Sequence, residues 1–517
     1  MADLKPGTLE FFAQRSPDRI AIVDASHRLS WRHWNDRANR LAAGFEKVAG
    51  VAAGDRVAVR IHNRHEWFEI GAALATLGAT MVSIGWRLTP EETRSLLEHS
   101  GARAFVFDDD PKTLAAAWQE SRGIARISLE PSDEAGVVAY SDLVSTTANQ
   151  TRSSAGRATT IVYTSGTTGQ PKGILRGPET DPARRSARAR LAGDLARSLG
   201  IGVRDRHLLC APIYHGAGPG IARMTHFAGA TVCMMRKFEA EAALKIIADE
   251  KITTTFMVPT MLSRIVQLPE SVRRRYDVSS LRMILTGASP VPFALKKRVI
   301  AHFGPNCLYE SYGSTEVGLA TLLVPEEQLR RPGSCGRLLA GVDVLVRNED
   351  GAEVALGEVG EIYLSSPEVV HRYLNVEVDA TDISADGYFA TGDIGVLDQD
   401  RFLYIVDRKK DIIISGGTNL YPAEIEAALR EHPAVQDVAV FGVPNEDLGE
   451  EVKAVCELIP GKSVTAEELM AFSKRELAGN KRPRSIDLTD ELPRSPVGKI
   501  LKRELRQPYW AATGKNI

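Results

Sequence analysis

Along the first three hundred residues, short apolar runs alternate with segments whose apolar positions recur every three or four residues. A continuous apolar run marks a buried strand, and the longer recurrence marks a helix with one buried face. Residues 19–23, 56–61, 80–84 and 104–107 are predicted strands on this basis, and 31–48, 65–77 and 90–99 predicted helices. The last of these opens on Pro90, Glu91 and Glu92, which suit a helix N-terminus. The pattern resumes with strands at 230–235, 253–258 and 283–286 and helices at 240–250 and 293–303. Such alternation predicts an α/β fold of parallel sheets covered by helices, with ligands held at the carboxyl ends of strands. Near Gly333 the texture changes to short strands between Gly and Asp turns, at 342–347, 361–365, 395–397 and 402–406, which predicts a β-rich subdomain over about 333–409. A strand at 412–414, the pair Gly416-Gly417 and a helix opening at Pro422 with Glu424 and Glu426 then begin a separate α+β lobe. The expected division is 1–409 and 410–517.

A length of 517 residues exceeds one ordinary core. Lys+Arg of 64 against Asp+Glu of 66 leaves a net charge of -2, and nothing in that balance implies nucleic acid or an anionic membrane as partner, so neither is expected. Met1 to Pro6 lacks the basic-then-apolar layout of a signal peptide. The most apolar stretch, 71–85, is too short and glycine-rich for a stable membrane span. The 5 cysteines show neither metal spacing nor a disulfide framework, so buried free thiols in a reducing cytoplasm are expected. Arg184, Arg185, Arg188 and Arg190 form a basic run with two readings: a solvated helix face, or a contact with the phosphates of a nucleotide such as CoA.

The chemistry concentrates in a few segments. The apolar run at 161–163 ends in Thr164-Ser165-Gly166-Thr167-Thr168-Gly169-Gln170-Pro171-Lys172-Gly173. Glycines let the backbone approach a ligand, successive N–H groups can point at phosphate oxygens, and Lys172 adds a mobile cation. Gly173 stands where a Walker A loop has its metal-binding Ser or Thr, so this is not a P-loop NTPase. Three further segments follow: Tyr309-Glu310-Ser311-Tyr312-Gly313-Ser314-Thr315-Glu316, Tyr388-Phe389-Ala390-Thr391-Gly392-Asp393, and Pro493 to Lys502 with Gly498-Lys499 within it. Tyr312 offers a flat face for a base, Thr315 a hydroxyl donor, Glu316 a hard oxygen ligand suited to Mg²⁺, and Asp393 two acceptors for a pair of hydroxyls.

Together, and in this order, these segments resemble the signature motifs of the adenylate-forming superfamily, in its acyl-CoA synthetase branch, over essentially the whole chain. The resemblance implies an N-terminal domain of two doubly wound sheets plus a small β-barrel subdomain, followed by a mobile C-terminal domain. It implies ATP, Mg²⁺ and coenzyme A as cofactors and co-substrates, and AMP-forming ligation of a carboxylic acid to CoA through acyl-AMP. Lys172, Thr315, Glu316, His215 and Lys499 fall on its catalytic positions, with Glu316 as the metal ligand. Thr164 to Gly169, Gly287, Ala288, Glu310, Tyr312, Gly313, Asp393 and Arg408 fall on nucleotide positions. Lys410 falls on the interdomain hinge, and Gly416 and Gly417 on the turn lining the pantetheine channel. An acyl pocket is implied around His215, Gly287, Ala288 and Gly313, with Gly216, Ala217, Gly318 and Ala320 as neighbours, and its small residues lean towards a medium, long or bulky acyl group. Two alternatives stay open: an enzyme loading a carrier-protein thiol, disfavoured because no carrier domain is seen, and a member that performs only the thioester-forming half. A homodimer is compatible with the sequence but not read from it.

Overall fold

In the computed structural model, residues 4–25, 27–118, 123–147, 159–164, 172–370, 372–377, 382–494 and 500–511 are described. Strands Thr159–Thr164, Thr80–Ser83, Arg56–Arg60, Ala104–Phe107, Ala125–Ser128 and Val137–Ala139 lie side by side in that order, all parallel. Antiparallel strands Lys172–Arg176, Arg372–Tyr373 and Val376–Glu377 extend them into a nine-stranded sheet. A second sheet of seven strands runs Leu308–Ser311, Met283–Gly287, Thr254–Phe256, Arg206–Leu209, Thr231–Met234, Ile20–Asp24, His27–Ser30, parallel except at the last. The four-residue apolar run Ala104–Phe107 is buried throughout, which is why it reads so plainly as a strand covered on both faces.

Helices Trp31–Lys47 and Glu66–Leu77 contribute to the core that joins the two sheets. Trp31, Trp34, Leu41 and Phe45 from the first pack in one cluster with Ile70 and Leu74 from the second. The same cluster includes Val57 and Val59 of one sheet and Val232 and Met234 of the other. Asn63 then locks the sheets at their carboxyl ends. Its amide donates to Ala211 O at 2.9 Å and Met235 O at 3.0 Å, and its carbonyl accepts from Ile213 N at 2.8 Å. Asn63 is buried, so each of these bonds replaces hydration the group has lost. Both sets of parallel strands thereby present their ends to one region.

The β-rich part is a six-stranded antiparallel sheet that begins at Thr321, earlier than the texture change at Gly333 suggests. In hydrogen-bond order its outermost strands are Thr321–Leu322 and Asp343–Arg347. The C-terminal lobe carries its own sheet, with Val435–Asn445 and Gly449–Leu458 as the long central pair, and its own apolar cluster around Ile425, Val438, Val452 and Leu469. Its first helix, Pro422–Arg430, receives no side-chain cap from Tyr421. Asp407, on the strand before the expected hinge, supplies the acceptor: its carboxylate takes Ala423 N at 2.8 Å and Arg408 N at 2.7 Å.

No helix among the described residues is long and apolar enough to cross a membrane. All of the cysteines are buried, with free thiols. One core ion pair escapes sequence reasoning entirely. Lys296, on helix Phe293–Phe303, is only 1% exposed and pairs with the buried Glu310 carboxylate. Lys296→Met should lower stability by about 3 kcal/mol, because it leaves a buried charge without its partner. Urea denaturation checks this. The double variant Lys296→Met/Glu310→Leu should recover much of the loss, and a double variant no more stable than the single one would refute the pair's role.

Candidate active site

The signature loop joins two antiparallel strands. Thr164 pairs with Lys172, so the loop leaves the end of one strand and returns on its neighbour. Ser165, Gly166, Thr167, Thr168 and Gly169 lie outside the described residues, as does Lys499, and of Thr164 only the backbone is described. Lys172 is described. Its backbone is paired with Thr164 on one side, and the next residue is held from the other, where the Leu374 N–H donates to Gly173 O at 2.6 Å. Its ammonium lies 4.8 Å from the Tyr373 ring centroid and 3.7 Å from an Asp382 carboxylate oxygen. Burial, and after it the negative charges of Glu316 and Asp382, hold the Tyr373 hydroxyl above its ordinary range. Lys172, Tyr373, Asp382 and Glu316 thus form one group.

Glu316 and Thr315 sit at the turn of a tight hairpin in which Gly313 pairs with Leu319 and Ser314 with Gly318. Gly313 is demanded by this close approach, since a Cβ there would lie 2.1 Å from Gly318 O. Arg176 fixes the hairpin from outside by donating to Thr315 O and, at 2.7 Å, to both the backbone and the carboxylate of Glu368. The Val370 N–H donates to Glu316 O at 2.9 Å. Arg184 and Arg188 complete the brace by donating to the carbonyl oxygens of residues 367 and 369. These two guanidiniums are therefore engaged with the protein's own backbone, which neither reading of the arginine run, solvated face or phosphate contact, had for them. Arg185 and Arg190 are exposed.

The strongest constellation centres on Asp393. It is buried on strand Phe389–Leu397, where it sits opposite Arg408 of strand Phe402–Arg408. Arg408 Nε lies 2.6 Å from one carboxylate oxygen, and the Tyr312 hydroxyl donates to the other at 2.5 Å. Burial and the neighbouring Asp393 charge push the Tyr312 hydroxyl well above its ordinary range, so it stays a donor. Tyr312 is itself placed by Thr321, whose Oγ accepts from Tyr312 N at 3.1 Å. A carboxylate has about four lone-pair sites, so Asp393 keeps acceptor capacity for a ligand's hydroxyls.

The other expected residues divide. Gly287 ends a strand of the seven-stranded sheet, paired with Ser311, and Ala288 has a φ of 65°. Half-buried His215 has its ring 4.3 Å from that of Tyr214, whose carbonyl accepts from Ser83 Oγ at 2.9 Å. Glu310 departs from its expected place among the nucleotide contacts. Its carboxylate lies in the core on Lys296, its backbone is paired with Leu323, and burial raises its pKa above the ordinary value. Lys410 is exposed in a short turn over Lys409–Asp411. Gly416 and Gly417 are exposed at the turn of a hairpin, with φ of 57° and 76° that only glycine adopts freely. Sequence reasoning missed Arg176, Tyr373 and Asp382.

The arrangement can bind a ribonucleotide at Asp393, and its polyphosphate beside Lys172. Residues 9–374 match the AMP-binding enzyme family, and residues 424–499 match the AMP-binding enzyme C-terminal domain. The chain is 33% identical to a 2-succinylbenzoate–CoA ligase of Bacillus licheniformis, covering 97% of this chain and 99% of that protein. It is 32% identical to the fatty acid–[acyl-carrier-protein] ligase ScoC of Streptomyces coeruleorubidus, over 99% and 97% of the two chains. Among solved structures it resembles the o-succinylbenzoate CoA synthetase MenE of Bacillus subtilis in complex with its acyl-adenylate intermediate, with a TM-score of 0.82 and 29% identity over 97% of this chain and 98% of that one.

Proposed function

The chain belongs to the AMP-binding enzyme family, in its acyl-CoA synthetase branch, and from that premise we propose how its residues divide the work of an ATP-dependent acid–thiol ligase. The reaction has two halves. A carboxylate attacks the α-phosphorus of ATP to give acyl-AMP and pyrophosphate, and a thiol then attacks the acyl carbon and displaces AMP. A free carboxylate resists thiols because its oxygen leaves poorly, and adenylation removes that obstacle.

The Tyr312–Asp393–Arg408 constellation carries this reading. Asp393 accepts the ribose hydroxyls, Tyr312 lies against the base, and Arg408, 45% exposed, is placed to reach from the ribose towards the α-phosphate. Lys172 holds the departing phosphates, and Lys499 the attacked centre. Such displacement is catalysed by positioning and charge neutralisation, and needs no covalent nucleophile from the protein. Thr315 and Glu316 offer hard oxygen donors beside the phosphate lysine, a donor set that fits Mg²⁺. When bound, the ion would neutralise phosphate charge. By the family resemblance, the C-terminal lobe turns about Lys410 between the halves and brings the Gly416–Gly417 turn to the thiol channel.

The acid we propose is bulky or long, in keeping with small residues at 216–217, 287–288, 313, 318 and 320. The acceptor we propose is CoA. The similarity to ScoC along nearly the whole chain supports a second reading, a carrier-protein thiol. Carboxylate-dependent ATP–pyrophosphate exchange without any thiol, across fatty, aryl and polycyclic acids, tests the first half, and exchange with one class is expected. AMP release on adding CoA or a pantetheinylated carrier protein then decides the acceptor. Thioester formation from supplied acyl-AMP, with no exchange for any acid, would overturn the adenylating half of the proposal.

A further inference from the structure

We propose that Asp382 is a positioning residue: a resting counter-ion of Lys172, which competes with polyphosphate for that lysine and so helps to set how readily pyrophosphate leaves. The inference rests on the ligase reading above. Four observations lead to it. The Lys172 backbone is paired with Thr164, and Gly173 beside it is held by Leu374, so the flexible stem is the part most able to move. The stem is parked over the Tyr373 ring, with the ammonium 3.7 Å from the Asp382 carboxylate. Asp382 is itself fixed, because its carbonyl accepts Ala390 N at 2.8 Å, next to the strand that carries Asp393. The resting partner is thus held relative to the ribose site. Finally, the two side chains are 34% and 31% exposed, so solvent screens the pair.

The balance of strengths decides what this contact can do. A half-solvated ion pair at this separation is weak. A polyphosphate carries several charges and strong acceptor oxygens, and it outcompetes a single carboxylate for the ammonium. Asp382 therefore does not block the site. It gives Lys172 somewhere to return to, and its charge opposes a tightly held product anion.

The test is calorimetric titration of the full-length protein with MgATP, and separately with magnesium pyrophosphate, in the absence of any acid. D382N keeps the shape of the side chain and removes its charge. It should bind both ligands roughly twofold to fivefold more tightly, the range open to one exposed charge pair. The gain should shrink at high salt, and it should be markedly smaller in the K172M background, since the double-mutant cycle isolates the part that runs through the lysine. Unchanged or weaker binding by D382N would overturn the proposal, and so would an equal gain with and without Lys172. A wild-type protein that binds no MgATP would instead bring down the ligase reading, and the proposal with it. In steady state, D382N should show inhibition by pyrophosphate strengthened by the same twofold to fivefold, a shift in one ligand's inhibition that a merely structural defect would not produce.

Discussion

Asp393→Ala should lower kcat/KM for MgATP about a hundredfold, the scale of losing charge-assisted hydrogen bonds from a buried acceptor. Two effects combine. The ribose loses its acceptor, and the Tyr312 hydroxyl and Arg408 Nε, at 2.5 and 2.6 Å from this carboxylate, lose theirs. The second effect alone could mimic a binding role, so the measurement must separate them. The wild type should discriminate ATP from 2′-deoxy-ATP, because a site built around a hydroxyl penalises its absence. Asp393→Ala should bind both nucleotides equally poorly. If the variant loses activity yet keeps the wild-type preference between them, Asp393 supports Tyr312 and Arg408 without touching the sugar.

Lys499→Ala should reduce acyl-AMP formation about a hundredfold to a thousandfold, as expected when one preorganised donor to a developing charge is removed. Thioester formation from supplied acyl-AMP should be unchanged. The obvious substitute nearby is Lys502, and the structure shows why it should not rescue. Its ammonium lies 2.7 Å from the Glu426 carboxylate, and the charges of Glu426, Asp411 and Asp407 raise its pKa despite burial. Single-turnover assays of each half separately check the prediction. Equal loss of both halves would mean that Lys499 serves a single arrangement of the lobes rather than one of two.

The sheet strands were the most legible part of the chain, for a physical reason. Ala104–Phe107 and the helix Phe293–Phe303 fall where the apolar pattern puts them, because burial there leaves few choices of residue. Strand Phe389–Leu397 was legible only in its last three residues. Its first half reads Thr391-Gly392-Asp393, which looks like a turn, yet those polar residues sit on a strand because that strand faces the site. Lys296 was invisible for the opposite reason: a lysine on an amphipathic helix reads as solvated, and its pairing with Glu310, beside a bond to Ser334 O, makes its burial tolerable. The motif residues were legible as chemistry, but their supports were not. Arg176, Asp382 and Asn63 hold the site through partners far away in sequence, and local pattern carries no record of such contacts.

The cap that Asp407 provides to helix Pro422–Arg430 bears on where the polypeptide can be cut. A lobe excised at Lys410 would begin beyond the residue that caps its own first helix, and that helix would open on an N–H that has exchanged its carboxylate acceptor for water. A fragment beginning at Phe402 would carry the acceptor along. With the division expected at 409/410, the frontier of hydrogen bonding falls earlier along the chain than the covalent one. The lobe borrows its beginning from the domain against which it is expected to turn.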